Sequence, residues 1–287
     1  MIRISYSQYS QWDVCPWKWK LNYVDNLRDY TDSIHTLFGT SMHEVLQTYL
    51  TVMYNDTIKM ADALPLDKML LHRMKYNYTK TMESNGGVEF CKQNDMEEFY
   101  THGLAILEWF KKKRANYFSK KHWELVGVEI PLQKKLRPNM NFVGFIDLVM
   151  KDTRNGRFKV IDIKTSTKGW NKYVKQDKIK SDQILLYKKF LSETWKIPID
   201  RIDVEFLILK RMLYENVDFP QKRVQLHHPA NGTPSMNQTW KRFESFIDDC
   251  YDENGDRILD KEYTKTNTQK SCKWCEFKDK PEICDRG

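Results

Sequence analysis

Within the stretch FVGFIDLVMKDTRNGRFKVIDIK, from Phe142 to Lys164, two of the carboxylates, Asp147 and Asp162, and Lys164 stand in a pattern that could serve a divalent cation. Runs rich in Phe, Val and Ile flank Asn155-Gly156, the dipeptide that favours a tight type I′ turn, so the stretch reads as two antiparallel strands. With Asn155 and Gly156 as the two loop residues, Asp147 stands opposite Lys164 and Val149 opposite Asp162. Directly opposed residues share a sheet face, as do residues two apart on one strand, so Asp147, Asp162 and Lys164 project together. Burying these charges beside Phe145, Val149 and Val160 costs several kcal/mol of solvation unless they are compensated. Carboxylate oxygens are ligands that Mg²⁺ and Mn²⁺ prefer, and the lysine can stand beside an attacking water or a scissile phosphate. A surface hairpin with an ordinary Asp147–Lys164 pair would use the same residues, so the flanking sequence has to decide.

A second group of candidate ligands is made of thiols. The cysteines are Cys15, Cys91, Cys250, Cys272, Cys275 and Cys284, three of them in the last sixteen residues. Cys272 and Cys275 form a C-x2-C pair able to chelate one metal centre, and Cys284 nearby strengthens that reading. The fourth ligand is then sought in Cys15, which would join the two chain ends; alone, Cys15 reads as a buried small hydrophobe. Spacing does not distinguish Zn²⁺ from an iron-sulfur cluster. Cys250 continues the apolar stripe of Trp240, Phe243, Phe246 and Ile247 and needs no chemistry. Cys91 has no cysteine neighbour in sequence and reads as buried or inert.

The elements that must position these groups are legible in outline. Residues 5–23 look helical, broken at Cys15-Pro16. Ser41 followed by Glu44 is a capping-box pattern, with Leu46, Tyr49, Leu50 and Met53 as the apolar stripe. His43 then falls in the first turn facing inward, as a core residue or, being a neutral imidazole, as a metal ligand. Residues 56–121 read as mostly helix, interrupted at Ser84-Asn85-Gly86-Gly87, and the run KKKR at 111–114 closes the last helix at its negative end. Strands are expected at 125–130, 203–209 and 223–226. A helix over 181–195 takes Ser181 or Asp182 as its N-cap and places Gln183 and Tyr187 on one face.

Between the second acid-bearing strand and that helix lies TSTKGWNKYVKQDKIKS, where Lys168, Lys172, Lys175, Lys178 and Lys180 interleave with Trp170 and Tyr173. Such a segment can neutralise phosphates and stack on bases, as single-strand-binding surfaces do, or serve as a polar loop. Its place directly after the acids favours binding.

The chain has 287 residues, 40% hydrophobic, with a net charge of +8. That composition is globular, and the charge suits a polyanionic partner. No run approaches membrane-spanning length, and the first residues lack the apolar core of a signal peptide. The expected compartment is the cytoplasm of a bacterial or phage-infected cell, or the nucleus of a eukaryote. No GxxxxGK[ST] motif is present, so ATP-driven unwinding would have to come from a partner.

Taken in order, the histidine beside GTSMHE, the GFIDLV strand, VIDIKTS, the Q-x-x-x-Y helix and the terminal cysteine triplet resemble the RecB-like branch of the PD-(D/E)XK nuclease superfamily. The resemblance is to its iron-sulfur members, the AddB-type nuclease domains and the CRISPR-associated exonucleases called Cas-four. It implies an α/β (α+β) fold with a restriction-endonuclease-like central mixed sheet flanked by helices. A largely helical N-terminal part and an iron-sulfur region joining the chain ends would complete it. The chain would be a single domain with a mainly helical 1–121, a sheet core at 122–230, and a helix with a cysteine-rich tail at 231–287. By resemblance, His43, Asp147, Asp162 and the Ile163 carbonyl bind Mg²⁺ or Mn²⁺. Lys164 orients or activates the attacking water, and Gln183 and Tyr187 position DNA. Cys15, Cys272, Cys275 and Cys284 hold a [4Fe-4S] cluster, with Zn²⁺ as the rival. Asp162 stands where a Glu is frequent, and eight residues separate Cys275 from Cys284, more than usual. Glu129, on the neighbouring strand, is a minor candidate for the metal.

The activity expected is a metal-dependent deoxyribonuclease, an exonuclease on single-stranded DNA or free ends, in recombination, repair or viral DNA processing. The alternatives are a non-catalytic DNA-binding subunit of a helicase or integration complex, and a zinc-stabilised RNA-binding protein. A helicase or recombination partner, but no membrane, is expected.

Overall fold

The computed structural model describes residues 1–27 and 32–285. In chain order it contains β1 (Ile2–Ile4), α1 (Tyr6–Val14), α2 (Pro16–Tyr23), α3 (Ile34–Asn55), α4 (Ile58–Asp62), α5 (Leu66–Ser84), α6 (Gln93–Lys113), β2 (Trp123–Arg137), β3 (Met140–Asp152) and β4 (Phe158–Ser166). There follow α7 (Lys172–Gln176), α8 (Lys178–Trp195), β5 (Ile202–Lys210), β6 (Val224–His227), α9 (Thr233–Cys250) and α10 (Gln269–Cys272). These make a mixed α/β fold of two compact units. One draws on the N-terminal residues through 27, on Pro131–Gly144 and on the C-terminal residues from Gly232; the other holds Asp32–Ile130 and Phe145–Asn231. Among the described residues no helix is long and apolar enough to cross a membrane.

In the larger unit β3, β4, β5 and β6 lie side by side, and β2 also pairs with β3. β4 runs antiparallel to β3 and parallel to β5, and β6 returns antiparallel to β5. Alternation along the strands separates two faces. Leu148, Met150, Ile161, Ile163, Leu207 and Leu209 join a core with Phe38, Met42, Leu70 and Ile106 of α3, α5 and α6. The other face carries Asp147, Asp162 and Lys164, and α8 packs on β4 and β5.

Two helices start earlier than the sequence reading expects. α3 begins at Ile34 because Ser33 is its cap, accepting the Thr36 N–H at 3.3 Å. Ser41 lies inside the helix and turns its hydroxyl back to the Leu37 carbonyl at 2.9 Å, so the Ser41–Glu44 pattern is no capping box and His43 is not in the first turn. α8 begins at Lys178, where Asp177 accepts the Ile179 N–H at 3.2 Å, ahead of the expected Ser181 or Asp182 cap.

In the smaller unit β1 pairs in parallel with the opening of β3, Ile2 beside Met140 and Ile4 beside Phe142. Its core is aromatic: Tyr9 meets Phe243 edge-on at 5.5 Å, and Trp19 meets Tyr251 at 5.7 Å. Cys15 is the extended residue between α1 and α2, where Pro16 opens the second helix without losing a hydrogen bond.

Candidate active site

The hairpin of β3 and β4 closes differently from the two-residue turn. Asp152 N–H donates to the Arg157 carbonyl at 2.8 Å, so Thr153, Arg154, Asn155 and Gly156 all lie in the loop. The cause is the Asp152 side chain, which accepts the Arg154 backbone N–H at 2.9 Å and its guanidinium at 2.6 Å, opening an Asx-type turn before Asn155-Gly156. Gly156 then takes the left-handed φ of 70° that returns the chain.

The observed register pairs Leu148 with Ile161 and Val149 with Val160. Asp147 is therefore not opposite Lys164, nor Val149 opposite Asp162, and both expected pairings are corrected. The displacement is two residues, and an even slip leaves each side chain on its face. Asp147, Asp162 and Lys164 still converge.

Asp147 Oδ2 accepts the Ile163 N–H at 2.6 Å and lies 3.6 Å from His43 Nδ1. Lys164 Nζ sits 2.8 Å from Asp162 Oδ2 and donates to Gln183 Oε1 at 2.8 Å. Gln183 in turn donates from Nε2 to the Tyr187 hydroxyl at 3.3 Å, one helical turn away. Asp162 is 2% exposed, and the Lys164 ammonium is the partner of its Oδ2.

Burial dominates the electrostatics. It raises both Asp147 and Asp162 from 3.8 to about 6, although Lys164 pulls each down. Neighbouring negative charge adds to the rise, from Asp147 on Asp162 and from Glu129 on Asp147. Burial lowers His43 to about 4, with Asp162 partly resisting, so its imidazole is neutral at pH 7. Tyr187 is pushed up to about 12, chiefly by burial, and keeps its proton. Buried Asp162, half-buried Asp147 and a neutral imidazole offer the O and N donors that a divalent cation takes. Among the described residues, no group of three or more His, Cys, Asp or Glu side chains is already drawn together as a metal site.

Two residues join the site that the sequence reading missed or ranked low. Gln47, one turn beyond His43 on α3, donates from Nε2 to Glu129 Oε1 at 2.6 Å and to the Asp147 carbonyl at 3.3 Å. Glu129 holds a φ of 48° within β2, a left-handed residue in a strand that turns its carboxylate toward Gln47. The i, i+4 spacing of His43 and Gln47 was the available signal for the first. Nothing in the sequence marks the bend at Glu129.

The lysine-rich segment divides. Tyr173 is 81% exposed, and Lys168 and Lys172 are exposed as well, whereas Lys175 is half-buried. Trp170 is no free-standing platform, because its ring packs 4.9 Å from Phe206 and its backbone is held at both ends by the Gln225 amide. In the smaller unit Cys15, Cys272, Cys275 and Cys284 line one cavity. Burial raises the Cys275 and Cys284 thiols, and for Cys284 the other three cysteines add to the rise. The Thr266 N–H points at Cys15 Sγ from 3.4 Å.

No curated protein matches the chain. Fifteen chains of solved structures do. One, described as "Crystal structure of SSO0001", is 12% identical with a TM-score of 0.34, the match covering 90% of this chain and 86% of that one. Over residues 3–284 the sequence fits the family model of the PD-(D/E)XK nuclease superfamily, and on that match the chain belongs to this superfamily.

Proposed function

We propose that the protein is an exonuclease that hydrolyses phosphodiester bonds of single-stranded DNA or DNA ends. Membership of the superfamily implies a metal-dependent nuclease; the ends, the strand preference and the residue roles are our reading. The observation that carries it is the convergence of Asp147 Oδ2, 3.6 Å from His43 Nδ1, with the buried Asp162, whose Oδ2 lies 2.8 Å from a Lys164 ammonium tied to Gln183.

That environment fits Mg²⁺ or Mn²⁺, held by His43, Asp147, Asp162 and the Ile163 carbonyl. When bound, such a cation supplies Lewis acidity at the phosphoryl oxygens and acidifies water. Lys164, steadied by Gln183, orients the attacking water and offsets negative charge gathering on the phosphate. Gln183 and the protonated Tyr187 hydroxyl position the strand. Lys168, Lys172, Lys175 and Tyr173 guide it toward the acids, with Trp170 as a wall. Cys15, Cys272, Cys275 and Cys284 are proposed to hold a [4Fe-4S] cluster, with Zn²⁺ as the alternative; the Thr266 N–H aimed at Cys15 Sγ suits a thiolate ligand. A helicase or recombination partner would supply unwound DNA.

The test is cleavage of end-labelled single-stranded and duplex DNA with Mn²⁺, set against Lys164→Ala. Stepwise shortening from an end that the variant lowers at least about a hundredfold is expected, the scale of losing one group that stabilises developing charge. Absence of metal-dependent cleavage on every DNA form would leave a DNA-binding subunit that keeps the fold.

A further inference from the structure

Beyond Lys164, the end of β4 and the residues after it border a cavity of about 370 Å³ within the larger unit. Arg211, just past the end of β5, lines it and is only 8% exposed. Its Nη1 donates to Glu98 at 2.7 Å and lies 3.1 Å from His102 Nδ1, and the guanidinium stacks 3.9 Å over the Phe99 ring. Among the described residues Nε and Nη2 make no hydrogen bond. Three of the five N–H donors of a buried guanidinium are thus unspent beside an open cavity. These donors face the open cavity, and the planar fork they form suits phosphate or carboxylate oxygens.

The rest of the wall narrows the choice. Lys180 adds a second cation, and Thr165 and Thr167 border the same space. Trp170 supplies an aromatic wall that cannot drift. The Gln225 amide clamps it, and the preceding Gly169 has a φ of 92°, where a Cβ would lie 2.7 Å from Lys210 Cδ. Lys180 Nζ lies over the Trp170 ring, 5.7 Å from its centroid, so cation and ring meet at one end of the cavity, where a phosphate and the base joined to it would lie side by side. The cavity volume is within the usual range for small-molecule sites. Thr165, which lines the cavity, follows Lys164 on β4, so the cavity adjoins the end of the strand that carries the candidate site.

We infer that this cavity is a nucleotide subsite, which takes one nucleotide of the bound strand with its phosphate on Arg211 and Lys180 and its base against Trp170. The inference rests on the nuclease reading for its role but not for its ligand.

The test is calorimetric titration of the full chain, with EDTA present, using a deoxynucleoside monophosphate, the same deoxynucleoside without phosphate, and inorganic phosphate. The monophosphate should bind most tightly. Arg211→Gln should weaken it at least tenfold, about 1.4 kcal/mol, and Lys180→Ala, on the surface, roughly threefold. Unchanged affinity in a folded Arg211→Gln protein overturns the proposal. Should that variant not fold, Lys180→Ala decides, and unchanged affinity there overturns it too. Inorganic phosphate or the bare nucleoside binding as tightly as the nucleotide also overturns it. Lys164→Ala should keep nucleotide affinity while losing cleavage. Persistent cleavage in that variant would sink the assigned role of Lys164 and leave the subsite standing.

Discussion

Replacing Asp162 with Asn should make the metal-free protein more stable while abolishing cleavage. Burial holds the Asp162 carboxyl at about 6 against an ordinary 3.8. At about 1.36 kcal/mol for each pH unit of that rise, ionising it inside the fold costs about 3 kcal/mol more than ionising it in the unfolded chain. The sign follows from proton counting. Between the two values the folded state holds the proton more tightly than the unfolded state, so stability falls as pH rises. The penalty is near zero at about pH 3, roughly half developed at about pH 5, and complete above about pH 7. Asn carries no charge and escapes it. Urea unfolding in EDTA should therefore show Asp162→Asn gaining up to about 3 kcal/mol at about pH 8, or roughly 6 °C in Tm at about 2 °C per kcal/mol, and about half that at about pH 5. Mn²⁺ should erase the difference by stabilising the native protein and not the variant. A variant that is less stable in mild alkali, or a gain that ignores pH, would refute the idea of an acid kept under strain for a cation.

Cys275→Ser should lower folded yield and bound iron or zinc together, read by metal analysis of anaerobically purified protein; full stability with no metal bound would show that these thiols are no clamp. Tyr173→Ala should weaken single-stranded DNA binding by about 1–3 kcal/mol, measured by titration of a labelled oligonucleotide; unchanged affinity would mean that its ring meets no base. Lys168→Ala should flatten the salt dependence of that binding by roughly 0.7 in logarithmic slope, and an unaltered slope would remove Lys168 from the interface.

The faces of the hairpin were legible because strand alternation survives an even slip in register. The loop itself was misjudged because Asp152 intervenes: its carboxylate captures Arg154 before Asn155-Gly156 can form the tighter turn. Ser41 imitated a cap by composition, while Ser33 held the position where the chain enters α3. β1 has three residues, too few to show a period. Gln183 and Tyr187 could be paired on one helix face from their spacing alone. Gln47, Glu129 and Arg211 acquire their surroundings from residues far away in sequence, and no short-range pattern marks such meetings.

β4 is bonded to β5 along all nine of its residues and to β3 on its other edge. Amide protons near Asp162 should consequently be among the last to exchange with solvent, released only when the sheet itself comes apart. A site with Asp162 on so unyielding a strand and Asp147 on its neighbour β3 cannot be reshaped for each substrate. Adaptation to different substrates then falls to the segment after Ser166, where the backbone leaves the sheet.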